Sequence, residues 1–88
     1  MVSRMILING VNQQIEVCQA DLEKFNFLAV DQDGEVWFFR RKPIIRDDNI
    51  FRGFVPQEPR DGSLSGEKVE DVGEVWRDSL TKINSEQS

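Results

Sequence analysis

The sequence predicts an α+β, mostly β domain, in which an antiparallel sheet of about five strands carries a short C-terminal helix or segment packed on it. Two turn dipeptides and one apolar pattern lead to this class. Asn9-Gly10 and Asp33-Gly34 each separate two runs of β-prone residues, which is the typical pattern of a β-hairpin. Near the C-terminus, apolar residues recur at helical spacing over residues 69–83.

The first hairpin is predicted from residues 4–8 and 11–17. If Asn9-Gly10 forms a two-residue turn, Ile8 lies opposite Val11. The second strand alternates apolar and polar residues. This alternation predicts one buried face and one face exposed to water.

The second hairpin is expected to form the centre of the core. Residues 19–24 suit a short helical turn that connects the two hairpins. Across a two-residue turn at Asp33-Gly34, Val30 would pair with Trp37, and the aromatic run that follows the turn would lie on both faces of the sheet.

Beyond the second hairpin the pattern weakens. Pro43 ends the central run, because it has no N–H to donate to a sheet. Residues 44–45 are expected at a sheet edge, and residues 50–55 are expected to form the fifth strand. The segment 56–68 is rich in Pro, Gly and Ser, so we predict a mobile surface loop there.

The C-terminal segment is predicted to cover the sheet. Its large apolar residues fall on one helical stripe: Val72, Val75, Trp76, Leu80 and Ile83. A short extended segment around residues 74–76, followed by one helical turn, is the alternative, and in both cases Trp76 should dock on the sheet. We expect a single small domain over residues 1–83, with a frayed tail at 84–88.

Composition removes several classes of function. Histidine is absent and Cys18 is the only cysteine, so the commonest general base, an ordinary zinc site and an intrachain disulfide are all missing. No apolar run approaches the roughly 20 residues that span a bilayer. We therefore expect a cytoplasmic protein that is not an enzyme and uses no catalytic residues, metal or cofactor, with no membrane partner.

Charge is distributed unevenly along the chain. The net charge is −5, which opposes binding to nucleic acid, yet residues 40–52 carry five basic and two acidic residues between two acidic flanks. Guanidinium groups bind carboxylates and phosphates through paired hydrogen bonds. The candidate partner- or anion-binding residues are Arg40, Arg41, Lys42, Arg46 and Arg52. The alternative is that these cations pair internally with Asp47, Asp48 and the acidic C-terminal third.

Three further patterns each have a functional and a plain structural interpretation. The run Asp31-Gln32-Asp33-Gly34 matches the start of a calcium loop, but the remaining ligands are missing, which favours a plain hairpin turn. Cys18 lacks a histidine partner and is expected to be a small core or edge residue. A third set, of acidic residues, would imitate a DNA phosphate track or form an ordinary solvated surface: Glu67, Glu70, Asp71, Glu74 and Asp78.

Aromatic residues exceed what a small sheet can cover on both faces. They are Trp37, Phe38, Phe39, Phe51, Phe54 and Trp76. Most are expected in the core. Any that remain on an open face would mark an oligomer or partner interface.

A resemblance to a known class of proteins is carried by residues 6–11, 28–39, 42–43 and 76–80 together. In these segments the chain resembles small uncharacterised accessory proteins of tailed bacteriophages and prophages. The resemblance implies a β-rich, non-catalytic protein that binds and modulates, often as an inhibitor, a protein of the bacterial host cell. It supplies no catalytic residue to transfer.

The leading functional prediction is therefore a phage-type accessory protein that binds a host protein. A protein that sequesters a small anion or nucleotide with the basic 40–52 segment is the first alternative, and an acidic DNA mimic is the second. A homo-oligomer is left open as a further partner, and nucleic acid is not expected as one.

Overall fold

A computed structural model describes residues 3–83 of the chain. Within that range it contains eight strands, one α-helix and two short 3₁₀ helices, and the strands form three antiparallel sheets. The predicted class, α+β and mostly β with antiparallel pairing, is confirmed. The strands are divided among three small sheets, however, and do not form one sheet of about five. The predicted frayed tail lies outside the described residues.

The elements follow one another with short connections. In chain order they are β1 (Ser3–Ile8), β2 (Gln13–Cys18), α1 (Gln19–Lys24), β3 (Phe27–Val30), β4 (Glu35–Phe39), β5 (Ile44–Asp47), β6 (Arg52–Val55), a first 3₁₀ helix (Pro59–Asp61), β7 (Gly62–Lys68), a second 3₁₀ helix (Gly73–Asp78) and β8 (Thr81–Lys82). The central sheet has the order β7-β4-β3-β8, while β1-β2 and β5-β6 are two-stranded.

The first hairpin forms with a longer turn than predicted. Ile8 pairs with Gln13, not with Val11, because four residues make the turn and both Gly10 and Asn12 adopt positive φ angles, of 73° and 66°. The pairing is thus displaced by two residues. Since side chains alternate with a period of two, the predicted faces are kept, and Ile15 is buried as expected.

The central hairpin is displaced by one residue. Val30 pairs with Val36 and Ala29 pairs with Trp37, so the predicted partnership of Val30 with Trp37 is wrong. Three residues separate the pair Asp31 and Glu35, and the last of them, Gly34, has φ of +94°. This is the loop in which a left-handed glycine follows a type I turn. A side chain at Gly34 would also overlap the carbonyl of Val69.

The segment predicted as a surface loop at 56–68 contains ordered secondary structure. Strand β7 pairs with β4 along the edge of the central sheet, so the loop prediction is wrong for residues 62–68, while mobility stays a prediction. The strand carries mainly small and polar side chains, and its pairing comes from backbone hydrogen bonds. It therefore lacks the apolar alternation on which a sequence prediction depends.

The C-terminal segment is a 3₁₀ helix followed by a short strand. Asp71 and Gly73 have positive φ angles of 56° and 54°, which prevent a helix from running through Val72. The predicted helix over 69–83 is therefore wrong. Trp76 docks as expected: its side chain is fully buried, and its ring meets that of Phe54 edge-on with centroids 5.9 Å apart.

One hydrophobic cluster joins the three sheets. Ile8 and Val17 contribute from the first hairpin, Phe54 from β6, and Trp76 from the C-terminal segment. Residues from both faces of β3 are buried, as expected for a central strand covered on both sides. Helix α1 adds Leu22 to the same cluster.

Ser79 completes the hydrogen bonding of β3 where β8 ends. Strand β8 pairs only with Phe27 and Leu28. Beyond it, the fully buried Ser79 Oγ accepts the Val30 N–H at 2.9 Å and donates to the Trp76 carbonyl at 2.7 Å. One hydroxyl group thus takes the place of a strand partner.

We expect Ser79→Ala to lower the free energy of unfolding by about 1–3 kcal/mol, because the buried N–H of Val30 loses its acceptor. Urea unfolding measures this loss. Ser65→Ala is the matched control, since Ser65 Oγ accepts an exposed N–H from Glu67, and its effect should stay within about 0.5 kcal/mol. Equal losses in the two variants would contradict the assigned role.

Candidate functional site

The hairpin of β5 and β6 ends in a tight turn built around Asp48. Its Oδ1 accepts the N–H groups of Ile50 and Phe51, each at 2.8 Å, and its Oδ2 accepts Nε of Arg46 at 2.8 Å. The bond from Arg46 is the largest effect and, with the two backbone N–H groups, lowers the pKa of Asp48 to about 2. The turn is held without any buried side chain at its tip.

Asp31 attaches this hairpin to the central sheet. Its Oδ1 accepts the Phe54 N–H at 3.2 Å, and the next residue, Gln32, donates its N–H to the Arg52 carbonyl at 3.2 Å. Strand β6 approaches the carboxylate closely because position 53 is glycine: a Cβ there would overlap Oδ1 of Asp31. The carboxyl group is thus enclosed between two sheets.

Burial changes the acidity of Asp31. Only 5% of the residue is exposed, and loss of hydration raises the pKa of its carboxyl to about 6, against the opposing effect of the Phe54 N–H. The negative charges of Asp33 and Glu35 add to the increase. This group therefore changes charge just below neutral pH.

An apolar groove lies between the hairpin and β4. We name it the hairpin groove; its volume is about 400 Å³. It is lined by Trp37, Phe51 and Phe54, by Ile50, Val55 and Pro56, and by one charged residue, Arg46. A concave, mostly apolar surface with a few polar groups is typical of a binding site.

Three isoleucine residues of the β5-β6 hairpin are open to water, and one of them, Ile50, lines the groove. Ile44 and Ile45 of β5 are about half exposed, and Ile50 at the turn is 87% exposed. Strand β5 is exposed at all four positions. The hairpin therefore places apolar side chains on the surface beside an apolar groove.

Most of the aromatic residues predicted to exceed what the sheet can cover are buried in the core. Phe38, Phe39, Phe54 and Trp76 are buried. Of the six aromatic residues in the predicted set, Trp37 and Phe51 are only partly buried, and both line the hairpin groove. The exposed apolar residues of the hairpin are aliphatic. The expected open aromatic face is therefore replaced by a small surface of aliphatic and aromatic residues.

Arg41 forms ion pairs within the fold. Its Nη2 lies 2.8 Å from Asp61 Oδ2 and 3.1 Å from Glu58 Oε2, and its Nε also donates to Asp61. The side chain of Asp61 is only 6% exposed, so Arg41 neutralises a nearly buried charge. For this residue the internal pairing considered from the sequence is what the structure shows.

The other candidate cations do not converge on one point. Arg46 binds Asp48 and lies over the Phe51 ring, 5.9 Å from its centroid. Arg52 binds Asp47, which also binds Arg77.

Arg40 and Lys42 differ from these paired arginines. Arg40 lies over the Phe25 ring at 5.7 Å. Arg40 and Lys42 are exposed, and within residues 3–83 neither forms an ion pair. Within the described chain, no carboxylate balances the positive charges of these two residues.

The remaining candidates have ordinary positions. The run 31–34 forms the central hairpin turn, and no group of three or more metal-binding side chains is present among residues 3–83. Cys18 is half-buried, with its Sγ 3.3 Å from Asp21 Oδ2. All five acidic residues of the predicted DNA-mimic surface are exposed. That alternative stays a prediction.

A larger cavity of about 570 Å³ lies beside the central turn, and its mixed lining includes Asp33, Lys68, Glu70 and Asp71. Its lining is less apolar than that of the hairpin groove. In the part of the chain described, no helix is long and apolar enough to cross a membrane.

Comparison of the chain with protein-family models, with curated proteins and with solved structures gave no match. The functional argument therefore rests on the geometry of this chain.

Asp31→Asn should make stability less dependent on pH. The folded-state pKa of Asp31, about 6, is above its ordinary value of 3.8, so its stabilising contribution is full below pH 3.8 and is lost as pH rises through 6. Asparagine keeps an acceptor for the Phe54 N–H without the charge. The variant should gain about 1–3 kcal/mol over the wild type at pH 8 and little at pH 4.

Chemical unfolding of both proteins between pH 4 and pH 8 measures this difference. A difference between Asp31→Asn and wild type that stays constant over the range would contradict the assigned pKa.

Arg41→Ala should lower the free energy of unfolding by about 1–3 kcal/mol, because Asp61 would keep a nearly buried charge without its partner. Arg60→Ala is the control. Arg60 is 82% exposed and binds Glu58, whose side chain is about half exposed, so its loss should cost less than about 1 kcal/mol. Thermal unfolding at pH 7 compares them, and equal costs would show that burial of Asp61 has no influence.

Proposed function

We propose that this protein is a non-catalytic accessory protein of the bacteriophage type, which acts in the cytoplasm of a bacterial host by binding and modulating a host protein through the hairpin groove. The observation that carries the proposal is the concentration of exposed isoleucines on the hairpin that borders the groove. Apolar groups cluster in this way at the centres of protein interfaces.

The polar surroundings support the same function. A typical interface has an apolar centre and a polar rim. Here the groove contains Arg46, and the segment that leads into β5 carries Arg40 and Lys42. Charged rims guide association and select partners more than they add affinity.

Binding of a small anion is less well supported. Such a site needs several cations that point to one place, whereas Arg41, Arg46 and Arg52 are each held by a different carboxylate. The arrangement favours contact with a protein surface over sequestration of a nucleotide.

Affinity capture from bacterial lysate tests the proposal. The wild type should recover one stoichiometric partner, and the double variant Ile44→Ser with Ile50→Ser should recover at least about tenfold less, which corresponds to about 1.4 kcal/mol. Surface substitutions of this kind leave the fold almost unchanged.

A second double variant, Met5→Ser with Leu64→Ser, is the matched control. Met5 and Leu64 are half exposed like Ile44 but lie on β1 and β7, so it should retain the partner. Recovery of no partner by the wild type, or equal loss in the two double variants, would overturn the proposal.

A further inference from the structure

Strand β5 has a free edge. Within residues 3–83, β6 is the only strand that pairs with it. Asp48 and Phe51 share a backbone hydrogen bond of 3.0 Å. Because bonded and non-bonded pairs alternate along antiparallel strands, the next bonded pair is Arg46 with Gly53. The backbone groups of Ile45 and Asp47 therefore face away from β6.

The edge of β7 offers a comparison within the same molecule. It carries Glu67 and Lys68, and its pairing with β4 shifts between Leu64 and Lys68, a stretch that contains Gly66 with φ of +86°. Charges and bulges of this kind protect an edge against further pairing. Strand β5 has no bulge over its four residues and presents Ile44 and Ile45. Its two charged residues, Arg46 and Asp47, are already held in ion pairs with Asp48 and Arg52.

The positive charge beside the β5 edge favours a binding partner that carries negative charge. Lys42 lies two residues before β5, and neither it nor Arg40 forms an ion pair within the described chain. Residues 40–52 carry an excess of positive charge, whereas the whole chain has a net charge of −5. A second copy of the chain has a negative net charge, but if it paired through this same edge it would place its own positive segment against this one. A partner segment with carboxylates complements the edge better.

We infer that the edge of β5 accepts an extended segment of the partner, alternating apolar residues with carboxylates, as a third strand of the β5-β6 sheet. The inference rests on the proposed function and names its mode of recognition. Main-chain hydrogen bonds to Ile45 and Asp47 supply the pairing, while alternate side chains reach the two faces of the sheet. Carboxylates of the segment lie near Lys42, and apolar side chains extend the surface at the groove.

Nuclear magnetic resonance titration of the full chain tests this. The probe is an N-acetylated, C-amidated octapeptide of alternating valine and glutamate, and the same peptide with lysine in place of glutamate is the control. At low salt the glutamate peptide should shift the amide signals of Ile45 and Asp47 saturably below about 2 mM, and it should bind at least about tenfold more tightly than the lysine peptide.

Variants of the protein separate backbone pairing from charge. Ile45→Pro removes the outward N–H and should weaken binding at least about tenfold, whereas Ile45→Val keeps the N–H and should bind like wild type. Lys42→Gln should reduce the preference for glutamate, and Lys82→Gln on β8 should not. If Ile45→Pro fails to fold, a glutamate peptide N-methylated at alternate residues tests the same pairing on the intact protein, where it should not bind.

Several results would overturn the inference: no saturable shift, equal binding of the two peptides, or equal binding by Ile45→Pro and Ile45→Val. Self-association in sedimentation velocity that disappears in Ile45→Pro would assign the edge to a second copy and would also overturn it. A host partner captured through the groove but indifferent to Ile45→Pro would leave the proposed function standing and this inference refuted.

Discussion

The buried contact between Asp31 and strand β6 is the interaction on which the arrangement of the sheets depends. A two-stranded sheet is at best marginally stable alone, so the hairpin of β5 and β6 needs an attachment. The Asp31 carboxylate provides it through the Phe54 N–H, in a space that exists because residue 53 is glycine. The same attachment positions Phe54 against Trp76, and so connects the hairpin to the C-terminal cover.

This attachment also explains why the proposed binding surface is where it is. The inner strand, β6, packs against the core. The outer strand, β5, has an edge that is unpaired within the described chain and exposes its isoleucines to water. The turn is stiffened by Asp48 rather than by packing. The hairpin is therefore anchored along one side and preorganised at its tip, which reduces the entropy lost when a partner binds.

The sequence predicted the elements better than their pairing. Period-two patterns identified the first hairpin and its buried face correctly, because a displacement of two residues leaves the faces unchanged. The one-residue displacement of the β3-β4 pairing at Gly34 could not be predicted from the pattern, because it depends on which glycine-containing loop the backbone adopts. Strand β7 carries no apolar alternation, and its pairing arises only when the edge of β4 is present.

The candidate site shows the same division. Composition located the positively charged segment, yet the structure separates its members: Arg41 pairs with a nearly buried carboxylate, while Lys42 has no carboxylate partner among residues 3–83. The two tryptophans also occupy contrasting environments, one fully enclosed against Phe54 and the other at the wall of the groove. Indole emission moves to shorter wavelength as water is removed, so the molecule carries two native optical reporters. The light from Trp76 follows the integrity of the core, and that from Trp37 follows what occupies the groove.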